Sequence, residues 1–311
     1  MEELNSSAGR VALDPAAAEE WIRASVVPSA AIEIVHEEPW ATVLRLPLAD
    51  GVAWFKACAS FQGFEPRLTA DLFERWPDRV PEVLALDAER AWLLLADAGT
   101  PISELGNPPE VWLDVLPRYA ELQRGEVAHV GEHLEHGVPD LRLSKLPAGY
   151  EDLLTHDLPI GPEEIDWLRE FQPRFTRLCD ELASAGVPES IQHDDLHCWN
   201  LYRDGSHLRV LDWGDASVGH PFASLVVTFR FLEEITKLRP GDAWFARLRD
   251  AYLEPWGGEL VDVFELAYRV GSFARAIAYI NTRAAVSERE RPEFDTDFSV
   301  VLRRAIAQME P

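Results

Sequence analysis

Ile191 to Tyr202 reads IQHDDLHCWNLY, and a second string, VLDWGDA, begins at Val210. Together they place His193, Asp195 and Asn200 in the pattern His-x-Asp-x-x-x-x-Asn, with a further acid, Asp212, ahead of Trp213-Gly214. Two carboxylates and an amide in this order suit phosphoryl transfer from ATP, where one carboxylate orients an acceptor hydroxyl and the other two groups hold a metal on the phosphates. Asp195 is the candidate to hydrogen-bond that hydroxyl and take its proton. Asn200 offers an amide oxygen to Mg²⁺ and Asp212 a carboxylate, both hard donors of the kind this ion takes. Taken singly, the acids read as a solvated surface loop. Their joint spacing argues against that.

The neighbouring residues have supporting readings. His193 reads as structural, its imidazole bonding backbone and fixing the loop. Asp194 would then point away. His197 has three readings: packing under the loop, touching the metal site, or touching the acceptor. Asp215 either assists the metal through water or caps the next helix. His193, Asp195 and His197 also resemble a metal-ligand cluster, which would make the chain a metal-dependent hydrolase. No His-rich partner string occurs elsewhere to complete such a set.

Phosphate chemistry also needs a cation. The strand-like run VAWFKA offers Lys56, the one lysine in the first 140 residues. A lysine used as a point charge is held by a carboxylate from the following helix. Glu65, near the start of that helix, is the first choice and Glu74 the second.

The elements that position these groups follow from pattern. Residues 14–25 read as a short helix, with Asp14 as N-cap and Pro15 at the first position. Strand-like runs follow at 31–35, 42–46 and 52–57, with Ala49-Asp50-Gly51 as a hairpin turn. A helix over 64–76 puts Phe64, Leu68, Leu72 and Trp76 on one face. Two more strands, 83–88 and 92–97, complete a small α+β unit of five strands with one inserted helix. Beyond residue 100 the chain reads as mainly helical. Helices are expected at 110–124, 162–185, 221–237, 241–254, 259–284 and 293–309, and residues 126–150 read as irregular connection. In 191–216 two short strands flank the motif loop, and 207–211 would deliver Asp212.

Composition narrows the partners. The 311 residues include 29 basic and 54 acidic ones, a net charge of −25. Such a surface does not suit nucleic-acid binding, because phosphate contacts need clustered Lys and Arg. Anionic membranes are disfavoured for the same reason. The acid excess suits a cationic small acceptor, or it simply confers solubility. Most of the 11 tryptophans should be core or cleft wall. The three cysteines form no Cys-x-x-Cys pair, the residues after Met1 lack a secretory pattern, and no apolar run spans a bilayer, so a reduced cytoplasmic setting is expected.

On Lys56, Glu65, the string His193–Asn200 and Asp212-Trp213-Gly214, the chain resembles the aminoglycoside phosphotransferase family of small-molecule kinases. The resemblance implies a protein-kinase-like two-lobe α+β fold. Residues 1–97 would form a small five-stranded antiparallel lobe with one helix, and residues 98–311 a large, mainly helical lobe. It further implies Asp195 as catalytic base, Asn200 and Asp212 as Mg²⁺ ligands, and Lys56, paired with Glu65, on the nucleotide phosphates. Adenine would lie against the backbone of Asp97–Gly99. The loop HEEPWAT would cover the phosphates. Because Gly-x-Gly-x-x-Gly is absent there, backbone amides of Trp40–Thr42 or the Thr42 hydroxyl would do that work, which leaves ATP and GTP both open. Position 194 is Asp where the family often has Gly.

Family members phosphorylate aminoglycosides, macrolides, choline, homoserine and other hydroxyl compounds, so the acceptor, antibiotic or metabolite, stays open, as does oligomeric state. Glu233, Glu234, Asp262 and Glu265 are candidates to line a cationic pocket, against the simpler reading of solvated helix faces. Trp244, Phe245, Tyr252 and Tyr268 read as core. A catalytically inactive kinase-like binding protein is the remaining alternative. A protein acceptor is disfavoured, since no Ala-Pro-Glu follows Asp212 and little chain separates it from His220-Pro221.

Overall fold

The computed structural model describes residues 13–309. The expectation about the segment after Met1 therefore falls outside the described residues. Helix α1 (Pro15–Ser25) starts where Asp14 Oδ1 accepts hydrogen bonds from the amides of Ala16 and Ala17, at 2.9 and 3.3 Å. These are two of the donors that a helix N-terminus otherwise leaves unpaired. Strands β1 (Glu33–Glu38), β2 (Ala41–Leu48) and β3 (Gly51–Cys58) are followed by helix α2 (Glu65–Arg75) and then β4 (Val83–Asp87) and β5 (Trp92–Ala96). All five strands pair antiparallel in the order β1-β2-β3-β5-β4.

Alternation along β2 and β3 puts Leu44, Leu46 and Phe55 on one face, where α1 adds Ile22 and β5 adds Trp92 and Leu94. Trp21, Phe55 and Trp92 meet edge to face, with ring centroids 5.5 to 5.8 Å apart. Such pairs add about 0.5–1.5 kcal/mol each beyond area burial. The apolar face of α2 turns the other way. Phe64, Leu68 and Leu72 join the larger core under the helices.

That second region holds β6 (Thr100–Pro101), α3 (Pro109–Glu126), α4 (Val130–Glu135), β7 (Asp140–Leu141), α5 (Leu146–Leu153), α6 (Pro162–Ser184), β8 (Ser190–Gln192), β9 (Leu201–Asp204), β10 (His207–Val210), β11 (Ser217–Gly219), α7 (Leu225–Thr236), α8 (Ala243–Leu253), α9 (Val261–Ala285) and α10 (Arg291–Ala307). Two three-stranded sheets, β10-β9-β6 and β7-β11-β8, frame the motif loop. The chain passes from the first region to the second at Gly99. Its φ is +99°, and a Cβ there would lie 2.2 Å from the Arg203 carbonyl oxygen, so both conformation and space require glycine. Among the described residues, no helix is long and apolar enough to cross a membrane.

Three expectations need correction. Residues 126–150 are not irregular. They hold α4, β7 and part of α5. Helix α4 is too short to show a period: its six residues place only Val130 and Leu134 against the core. The α5 signal of Leu146, Tyr150 and Leu153 is masked in sequence by Pro147 and Gly149. The HEEPWAT segment is mostly strand rather than loop, since β1 runs through Glu38 and only Pro39 and Trp40 separate it from β2. Residues 221–237 open with a 3-10 turn at Pro221–Ser224 before α7 begins.

The ion network at the end of α3 joins the two regions. Glu126 is fully buried and accepts from Arg75 Nη2 at 2.8 Å and Trp76 Nε1 at 2.7 Å, with His133 Nε2 at 2.9 Å. Burial alone would raise its carboxyl, but the hydrogen bonds from His133, Arg75 and Trp76 hold it down at about 2. A carboxyl depressed on folding stabilises above its unfolded value and loses that contribution as pH falls toward 2. Glu126→Ala leaves Arg75 with only the half-exposed Glu132. Denaturant unfolding at neutral pH should show a loss of about 3 kcal/mol, as for other broken buried pairs.

Candidate active site

The motif loop spans β8 to β9 and is fixed from below. His193 Nε2 donates to the Leu211 carbonyl at 2.7 Å, and Nδ1 accepts the Asp195 amide at 3.2 Å. Burial holds this imidazole neutral, its pKa lowered to about 4. The His193 amide bonds Tyr119 Oη on α3 at 2.9 Å, and Thr228 Oγ1 on α7 holds the Leu196 carbonyl at 2.7 Å. Both His193 ring nitrogens are engaged, so the histidine-based metal cluster does not form. The described His/Asp/Glu group with metal-ligand proximity is a different one, Asp71, Glu132 and His136.

Asp195 faces a cleft of about 570 Å³ that Asp212, Gly214 and Asp215 also line. Asn200 Nδ2 donates to the Asp195 carbonyl at 3.0 Å and to its Oδ2 at 3.2 Å, which turns the amide oxygen away as a free acceptor. His197 Nε2 lies 3.1 Å from Asp195 Oδ2, and its ring packs on Phe231. His197 therefore packs under the loop and also touches the carboxylate. Burial would raise the Asp195 pKa. The His197 hydrogen bond and the Arg275 charge overcome that and hold it well below the usual range.

The second acid arrives from β10. Asp212 has φ +63°, a left-handed conformation that costs about 1 kcal/mol in a non-glycine residue and here opens the Trp213–Asp215 turn. Its Oδ1 lies 2.6 Å from Lys56 Nζ, while its side chain stays half exposed. Lys56 sits mid-sheet, opposite Val43 and Leu93. It also reaches Glu65 Oε2 at 2.7 Å, and Glu65 is 1% exposed. Glu74 is exposed and makes no such contact. Burial disfavours a charged lysine, yet Asp212 and Glu65 together raise its pKa well above the usual value. Gly214 is required by this approach, since a Cβ would lie 2.8 Å from Glu65 Oε2.

Asp215 does not cap a helix. It accepts from Gln62 Nε2 at 3.1 Å and from Arg275 Nη1 at 3.2 Å. Arg275, on α9, also donates to Asp195 Oδ1 at 3.3 Å. Sequence reading missed both Arg275 and Gln62. A cue for Arg275 exists: it is the one charge in GSFARAIAYI, amid buried small residues. Thr42 is buried within the β2 ladder, and Asp97 accepts from Trp54 Nε1 at the start of the connection that Gly99 completes. None of these three lines the cleft. Glu233, Glu234 and Glu265 pair with arginines, and neither they nor Asp262 line it. Of the expected core aromatics, Tyr252 is fully buried, while Phe245 and Tyr268 are partly so.

Asp194 turns from the cleft and accepts from Ser217 Oγ, with φ +59°. Burial raises its carboxyl to about 6. A carboxyl raised on folding contributes stability below its unfolded value and loses it as pH rises through 6. Asp194→Asn keeps the left-handed backbone and the size, and removes the ionisation. Its melting temperature should exceed wild type at pH 8, by about 1–2 kcal/mol of stability, and match it near pH 4.

The model of the phosphotransferase enzyme family matches residues 29–264. No curated protein matches the sequence. Among solved structures, a choline/ethanolamine kinase family protein from Mesorhizobium loti superposes with a TM-score of 0.63 at 16% identity, covering 95% of each chain. An ethanolamine kinase of Plasmodium vivax gives 0.65 at 11% identity, over 94% of this chain and 85% of that one. The GDP complex of a mutant aminoglycoside 2′-phosphotransferase-IIIa gives 0.63 at 12% identity, over 94% and 98%. These likenesses show a protein-kinase-like fold. With the family model matched over most of its length, this chain belongs to the phosphotransferase enzyme family.

Proposed function

We propose that this chain moves the γ-phosphate of ATP or GTP to a hydroxyl of a small molecule, with residues up to 97 as the nucleotide lobe and 98 onward as the acceptor lobe. One observation carries the reading. Lys56, Glu65 and Asp212 meet across 156 positions of sequence, beside a loop in which Asn200 is bonded to Asp195. This is the constellation phosphoryl transfer requires. GDP in the aminoglycoside phosphotransferase relative supports a nucleotide here.

Each residue then has a role. The acceptor hydroxyl hydrogen-bonds Asp195, its oxygen forms the new bond to phosphorus, the bond from phosphorus to the nucleoside diphosphate breaks, and the hydroxyl proton passes through Asp195 to water. A carboxylate held this far below its usual range orients the hydroxyl more than it stores the proton. Lys56 contacts the phosphates, with Glu65 keeping it in place. The free Asn200 amide oxygen and the half-exposed Asp212 carboxylate are hard donors that fit Mg²⁺. That ion would neutralise phosphate charge. Three buried free cysteines fit a reduced cytoplasmic setting.

The test is ADP or GDP release from the magnesium nucleotide with a panel of hydroxylated antibiotics and metabolites. Acceptor-dependent release, with phosphate recovered on the acceptor, supports the reading. Tight zinc in the purified protein without nucleotide binding would favour the hydrolase instead.

A further inference from the structure

Arg275 directs its two outer nitrogens at two different carboxylates. Nη1 donates to Asp215 Oδ2 at 3.2 Å and Nη2 to Asp195 Oδ1 at 3.3 Å, from a side chain only 11% exposed. A guanidinium beside a carboxylate commonly pairs with that one group through two parallel bonds, as a fork. Here the fork is divided, and both ends of the division are built. Gln62 Nε2 donates to Asp215 Oδ1 at 3.1 Å, so Asp215 offers the arginine its other oxygen. On Asp195, His197 Nε2 and Asn200 Nδ2 stand 3.1 and 3.2 Å from Oδ2, which leaves Oδ1 as the side open to Nη2. The guanidinium also lies over the Tyr279 ring, 5.0 Å from its centroid, which limits its tilt.

Gln62 is 3% exposed and ends a single 3-10 turn, Ser60–Gln62, on the connection from β3, which carries Lys56, to α2, which carries Glu65. Gly214 admits the amide, since a Cβ there would lie 2.9 Å from Gln62 Nε2. One line of hydrogen bonds therefore runs from the element joining Lys56 to Glu65, through Gln62, Asp215 and Arg275, to the Asp195 carboxylate.

Resting on the phosphotransfer reading, we propose that Asp215 and Gln62 are positioning residues that keep Arg275 divided between two carboxylates, so that Asp195 retains a free lone pair for the acceptor hydroxyl. A carboxylate accepts roughly four hydrogen bonds. Arg275, His197 and Asn200 supply three of them, and the hydroxyl takes the remaining place. Without the Asp215 carboxylate the fork closes on Asp195, its second nitrogen fills that place, and the hydroxyl loses its partner. Without the Gln62 amide the fork closes on Asp215 instead, and Asp195 loses the arginine that aims it.

The experiment reads phosphate release from magnesium ATP with water as the acceptor, nucleotide affinity by calorimetry, and crystal structures of the free variants. Melting curves show which variants fold. Asp215→Asn and Gln62→Ala should each lower kcat by about 10- to 100-fold, the scale of misplacing a reacting group by about 1 Å, and move nucleotide affinity by less than about threefold. Asp215→Asn should add nothing to the loss from Arg275→Met, because no fork is left to divide. A merely structural role would make the two losses multiply. If Arg275→Met does not fold, Gln62→Ala in the Asp215→Asn background makes the same comparison, since Gln62 acts through Asp215.

In the free Asp215→Asn structure both outer nitrogens of Arg275 should lie on Asp195. Multiplying losses, an unchanged kcat in Asp215→Asn, or an arginine that stays divided in that structure overturns the proposal. Where wild type releases no phosphate to water, the Asp215→Asn structure decides the fork alone. The two readings fail separately. A wild type that binds no nucleotide removes the phosphotransfer role, while the structure still tests the fork. Turnover with multiplying losses removes the fork and leaves phosphotransfer standing.

Discussion

Asp195→Ala should lower kcat by about 10³-fold, while the affinity for nucleotide moves by less than about threefold. A positioned carboxylate in proton transfer contributes 10² to 10⁴-fold, and a thousandfold is about 4 kcal/mol of barrier. The reason to expect the effect in kcat is geometric. Asp195 Oδ1 and Oδ2 are aimed by Arg275, His197 and Asn200 rather than by the sheet that holds Lys56. Its loss should leave Lys56, Glu65 and Asp212 in contact. Initial rates and calorimetry on the same preparation check this. Unchanged turnover rejects Asp195 as the acceptor-facing group. A collapse of nucleotide affinity would move it to the nucleotide side instead.

Asp212→Ala should weaken magnesium-dependent nucleotide binding by about 100-fold and leave metal-free binding nearly unchanged. Outer partners of metal ligands already cost 10 to 100-fold, so a direct ligand should reach the upper end. The fold should survive, because Lys56 retains buried Glu65 and the Asp212 side chain is half exposed. Alanine tolerates the left-handed φ of +63° at this position less well than aspartate, which adds a small backbone cost to the lost ion pair. Titrations with and without Mg²⁺ make the comparison. Equal losses in both would assign Asp212 to holding Lys56 alone.

Some of this was legible in sequence because the signals were local. Asp14-Pro15 marks a helix start, the 64–76 stripe marks α2, and the joint spacing of Asp195, Asn200 and Asp212 marks one loop and the following strand. Lys56 with Glu65 was legible because lysine is so scarce in that half of the chain. What stayed hidden was long-range or non-periodic. Arg275 lies 80 positions from Asp195 and meets it only once α9 packs under the loop. Helix α4 is only six residues long, with one apolar pair, Val130 and Leu134, on the core and His133 bonded to Glu126, so it is too short for periodicity to find. The three-way ambiguity of His197 also needed coordinates, since packing and carboxylate contact are both true of it.

The most direct measurement is a crystal structure of the protein with a non-hydrolysable ATP analogue and Mg²⁺. The account predicts the ion on the Asn200 amide oxygen and an Asp212 carboxylate oxygen, Lys56 against the phosphates, and the terminal phosphate facing Asp195. A nucleotide seated elsewhere, or a terminal phosphate turned from Asp195, would contradict it.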